Sequence, residues 1–177
     1  MEVRDAKRAC AHKETMMRFV RSLIVVGAIC ASTSMAGAQA VDWQKVDDAF
    51  GRKAAVISGD AHRYGFPRAD LSVTLDGVTI KPALALGGWV AFKPMQGGAM
   101  VMGDLVLLET EVNPVMTALR ANGIEITALH SHMLDERPRL FFMHFWANDD
   151  ALKLAKGIRA ALDKTASVTS QNATGKN

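Results

Sequence analysis

Beyond residue 30 the 177-residue sequence has no cysteine, beyond residue 40 it has no net charge, and nowhere does it carry a hydrophobic run of membrane-spanning length. Each absence excludes something. Both cysteines, Cys10 and Cys30, stand near the start, so the rest of the chain must be held by packing rather than by disulfides. The formal net charge of +3 suggests an anionic partner, yet six of the 21 basic and three of the 18 acidic residues fall within residues 1–40. From Val41 onward 15 positive charges meet 15 negative ones. With no basic stripe and no recognisable binding motif there, nucleic acid is not an expected partner. The longest strongly apolar stretch, residues 23–29, is far short of the roughly 20 residues a bilayer-spanning helix needs, which argues against a permanent membrane span.

What is present begins with a leader. Residues 16–40 combine a basic start (Arg18, Arg21), the apolar run and a small-residue end, Ala38-Gln39-Ala40, the three parts of a secretory signal peptide. Cleavage near Ala40 and a periplasmic or secreted location follow as expectations. Residues 1–15 read as an over-extended gene start or as a long basic region. Cys30 is preceded by Ile29 where a lipobox needs a small side chain, so lipid attachment is not expected. The remaining 137 residues suffice for one hydrophobic core: a single domain is expected over 41–164, followed by a polar, disordered tail over 165–177.

Residues 42–50 place apolar side chains at 43, 46, 49 and 50, a helical spacing with Asp42 as cap and Gly51 as stop. Strands are predicted over 54–58 and 62–66. Asp76-Gly77 between two alternating runs then marks a hairpin, and β character continues over 87–93, 99–102 and 104–109. Asn113 and Pro114 predict a helix start, and Asn122-Gly123 its end. Strands over 124–132 and 139–147 flank a loop at 133–138, and a last amphipathic helix over 151–162 is capped by Asn148 or Asp149. The order from residue 104 is β-α-β-β-α. It predicts an α+β fold, a mostly antiparallel sheet with helices packed on one face.

Four histidines lie beyond residue 40, and three of them, His130, His132 and His144, fall within fifteen residues. His130 and His132 are two apart on a predicted strand, so both imidazoles point to one face and could reach one metal ion. His144 lies on the partner strand and joins them only if paired residue numbers sum to an even value, for example 130 opposite 142; an odd sum sends it to the other side. On the first strand Ile124, Ile126 and Ala128 predict that the even face points inward. On the second, both parities are apolar, which suggests burial on both sides and leaves the register open. Glu136, in the loop, is the candidate carboxylate ligand or catalytic general acid/base. Three imidazoles with one carboxylate suit Zn, Mn or Fe(II). The competing interpretation makes these histidines hydrogen-bonded structural groups of a non-catalytic module that binds a small molecule or a cell-envelope ligand. His62 is assigned to the surface or the core. Glu109 and Glu111 either line the same cleft or favour a helix N-terminus. The spacing His130-x-His132-x-x-x-Glu136 with His144 copies the metal motifs of cupins, but the two motifs follow too closely for a cupin barrel.

The blocks PRADLSVTLDGVTIKPALALGGWVAF (67–92) and MGDLVLLETEVNPVMTALRANGIEITALHSHMLDERPRLFFMHFWA (102–147) resemble the homologue family of the mycobacterial LppY and LpqO lipoproteins, a bacterial secreted domain of unknown function. The resemblance implies export and places His130, His132 and His144 in the family motif. It brings no established activity. Members that carry the domain in tandem make a homodimer of this single copy a reasonable analogy.

Overall fold

The computed structural model describes residues 40–167. The proposed leader and cleavage site lie almost wholly outside those residues, as does the tail from 168. Helix α1 (Trp43–Phe50) starts where Asp42 accepts the backbone N–H of Lys45 and stops at Gly51, whose φ of 66° is the left-handed conformation glycine tolerates. Strands β1 (Ala55–Ile57) and β2 (Ala61–Pro67) follow, then the small hairpin β3 (Val73–Leu75) and β4 (Val78–Ile80), turned through Asp76 and Gly77 at positive φ. The short helix α2 (Pro82–Ala85) leads into the long strands β5 (Gly87–Met95) and β6 (Gly98–Leu108). Helix α3 (Glu109–Ala121), strands β7 (Glu125–His130) and β8 (Leu140–Asp149), and helix α4 (Ala151–Leu162) complete the fold.

Six strands form one antiparallel sheet in the order β1-β2-β5-β6-β8-β7, with β3 and β4 as a separate pair. The fold is thus α+β, ending in the β-α-β-β-α order read from the sequence. Alternation sorts the side chains. Tyr64, Phe66, Val90, Phe92, Leu105, Leu107, Met143 and Phe145 face α1, α3 and α4, meeting Val46, Phe50, Val115, Leu119, Leu154 and Ile158 in the main core. On the opposite face Val106, Leu140 and Phe142 are covered by the hairpin residue Val73 and by Leu86. That cover is partial. Further along β6 and β8 the same face leaves Met102 and Trp146, which are cross-strand partners, exposed.

Three details differ from expectation, each for a local reason. Helix α3 begins at Glu109 rather than near Asn113, because the Glu111 carboxylate accepts the Leu108 N–H at 2.9 Å and closes the first turn earlier. Pro114 therefore sits inside the helix. Helix α4 is capped by Asp150, which accepts from Lys153 N at 2.8 Å, not by Asn148 or Asp149. Residues 165–167, assigned to the tail, continue in ordered turns: the Thr165 hydroxyl donates to Leu162 O at 2.8 Å, and Ser167 is buried.

Candidate metal centre

The register of β7 on β8 builds the site. Near the start of β7, Glu125 faces Trp146 and Ile126 faces Phe145; then the pairing shifts, and Ala128 faces His144, Leu129 faces Met143 and His130 faces Phe142. Thr127 is the extra residue. A one-residue shift sends the strand's side chains to the other face. Ile126 thus joins the helix-side core, whereas Ala128 and His130 share the open face with His144. The even positions of β7 do not form one inward face, because the shift between 126 and 128 divides them. The pairing of His130 with Phe142 is the even register that brings His144 to the same side.

His132 arrives by another route. Strand β7 ends at His130, two residues earlier than predicted, where the Ser131 hydroxyl donates to Leu140 O at 2.9 Å and the chain leaves the sheet. The ring of His132 then lies against Phe142, centroids 3.5 Å apart and planes at 12°. His130 stacks on His144 at 5.0 Å and 8°, and lies 5.1 Å from the His132 ring. One nitrogen from each imidazole falls within 4.8 Å of the other two. With metal–nitrogen bonds of about 2.1 Å, small side-chain rotations bring three such atoms onto one ion. His130 and His132 are exposed, which leaves those rotations room on the solvent side. Among the described residues no hydrogen bond ties any of the three imidazoles to a backbone carbonyl.

A carboxylate not singled out in the sequence lies beside them. Asp104, on β6, is the cross-strand partner of His144, and its Oδ1 stands 4.0 Å from His144 Nε2. The residue is 8% exposed, and Oδ1 is buried with no hydrogen-bond donor among the described residues. Burial raises its pKa, against the opposing pull of His144, His132 and His130. A sequence signal existed: Asp104 is the only charged residue in the eleven-residue strand GAMVMGDLVLL.

Glu136 is fully buried, and its Oε1 accepts the Leu140 N–H at 3.0 Å while Oε2 lies 3.6 Å from Arg139 Nη1. It fastens the loop that carries His132. The same loop is tied to β3 by reciprocal backbone hydrogen bonds between Thr74 and Arg137, both 2.9 Å. Glu111 is committed elsewhere, accepting from Arg68 Nη1 and Nη2 at 2.6 and 3.0 Å as well as from Leu108. His62 belongs to the other face and stacks on Trp43 with centroids 3.6 Å apart. A cavity of about 320 Å³ lined by Asp42, Lys45, Gly98 and Asp150 includes none of the histidines.

Residues 44–164 match the family described as Domain of Unknown Function (DUF1259). The chain belongs to this family. All three histidines, Asp104 and Glu136 lie inside the DUF1259 match. No curated protein and no solved structure matches the chain. Among the described residues no helix is long and apolar enough to cross a membrane.

Proposed function

We propose that this is an exported domain that binds a divalent transition metal, Zn, Mn or Fe(II), through His130, His132 and His144, and uses it for metal-assisted chemistry. The observation that carries the reading is the convergence of three imidazole nitrogens within 4.8 Å on an open half of the sheet. Three neutral imidazoles leave coordination positions free, which suits a bound water or a substrate oxygen better than a closed structural site. Export rests on the leader pattern in residues 16–40 and on the likeness of 67–92 and 102–147 to the LppY and LpqO lipoproteins. Glu136 enters as the residue that holds the His132 loop; acid–base work by it would require its carboxylate to leave the Leu140 N–H.

The competing function, a non-catalytic envelope module with structural histidines, draws on the ring stacking of His132 on Phe142. Structural imidazoles normally satisfy their N–H and lone pair with protein partners, however; among the described residues these three make no hydrogen bond, and His144 has only the Asp104 carboxylate at 4.0 Å. Metal content decides between the two readings. Untagged protein purified from medium supplemented with Zn, Mn and Fe(II) is expected to carry close to one equivalent of metal, and the His130→Ala/His132→Ala variant almost none. Equal and negligible metal in both would overturn the proposal.

A further inference from the structure

We infer that Asp104 is the fourth protein ligand of this centre, completing a set of three imidazoles and one carboxylate drawn from β6, β7, β8 and the β7–β8 loop. The inference rests on the metal reading above and deepens it. An ionised carboxylate is costly to bury without a donor or a counter-charge. Asp104 Oδ1 is buried with no hydrogen-bond partner among the described residues, and it stands 4.0 Å from His144 Nε2. No Lys or Arg pairs with it among the described residues; the basic side chain beside it is His144. The carboxylate lies beside one member of the histidine cluster, His144, and a divalent ion held by the three imidazoles would bring it the positive charge it lacks.

The strand register turns Asp104 toward the histidines. Cross-strand partners in an antiparallel sheet project on the same face, so pairing Asp104 with His144 directs the carboxylate to the side the histidines occupy. The carboxylate also changes what the site prefers. Mn(II) depends on oxygen donors, whereas Zn is held adequately by imidazoles alone.

The test compares Mn(II) and Zn affinities, by competition with a chromophoric chelator, in the metal-stripped wild type and in Asp104→Asn and Asp104→Glu. Asp104→Asn should weaken Mn(II) binding roughly 100-fold and Zn binding roughly 10-fold, at least as much as the loss of an outer-shell group at a metal site commonly costs. Asp104→Glu should recover part of the Mn(II) affinity. Metal-free Asp104→Asn should melt higher than metal-free wild type, because the unmet charge is gone. Unchanged affinity for both metals overturns the assignment while leaving the histidine site standing. Equal weakening for both metals with no recovery in Asp104→Glu also overturns it. Absence of binding by wild type defeats the metal reading and the inference together. Should the variants fail to fold, the Co(II)-loaded wild type decides: Asp104 Hβ resonances should be strongly hyperfine-shifted, and ordinary shifts there overturn the proposal.

Discussion

The ring of His132 lies on that of Phe142 at a centroid distance of 3.5 Å, and Phe142 is in turn the cross-strand partner of His130. One buried aromatic therefore orients two of the three imidazoles, one through the sheet register and one through stacking. His132 has left the strand, so the stack and the loop anchors at Ser131 and Glu136 are what hold it. Phe142→Leu keeps an apolar side chain in the small core with Val73, Leu86 and Val106, at a stability cost of roughly 1 kcal/mol. Metal affinity should nevertheless fall about 10-fold, as it does when groups that orient a ligand are removed. Chelator competition measures it; affinity equal to wild type would show that the stack does not position His132.

Much of this was legible in the sequence, and the remainder follows a pattern. Spacing signals located what is set locally: the Asp42 cap and Gly51 stop of α1, the Asp76-Gly77 hairpin, the Asn122-Gly123 end of α3 and the clustering of three histidines. Apart from local details such as the Asp150 cap of α4, what it did not show is set by residues distant in sequence. The start of α3 depends on Glu111, whose carboxylate is held by Arg68, 43 positions earlier. The shift between Ile126 and Ala128 is a property of the pairing with β8, not of β7. Asp104 acquires its meaning only when β6 is laid beside β8, because nothing near it in sequence marks it as a partner of His144.

Arg68 offers a test of that long-range wiring. Its guanidinium is buried, bonding Asp70 through Nε and Nη2, Glu111 through Nη1 and Nη2, and the Val106 carbonyl at 2.7 Å. Burial works against its charge, but the two carboxylates more than offset this and raise its pKa. Arg68→Met would leave Asp70 and Glu111 largely buried without their counter-charge, a loss of about 3–5 kcal/mol. Urea unfolding should show a lower midpoint at an unchanged slope; a loss under about 1 kcal/mol would mean the two carboxylates find other partners.

A pH dependence follows from His62. Its ring stacks on Trp43, and burial lowers its pKa despite the opposing pull of Asp47 and Asp60. The folded chain thus favours the neutral imidazole more than the unfolded chain does, where the pKa is about 6.5. This stabilisation is present above about 6.5 and is lost as pH falls through the lower folded value. Between pH 7.5 and 5.5 the melting temperature of wild type should drop more than that of His62→Gln. Parallel curves would remove His62 as a source of acid sensitivity. The site histidines are common to both proteins and cancel in the comparison.

The three tryptophans sit differently with respect to the metal centre, and this provides a direct optical test. Trp146 lies two residues beyond His144 on β8, on the same face, and Trp89 is the cross-strand partner of Asp104. Trp43 belongs to α1 and packs on His62 and Phe92 on the helix-covered side. A paramagnetic ion such as Co(II) quenches nearby indoles by short-range mechanisms, so binding at the histidines should dim Trp146 and Trp89 and spare Trp43. Titration of the metal-free protein should give a saturable loss of emission at one equivalent. The Trp43→Phe variant should keep the full quench, whereas Trp89→Phe/Trp146→Phe should lose nearly all of it. The reverse pattern would put the ion on the helix side of the sheet, where none of the three histidines projects.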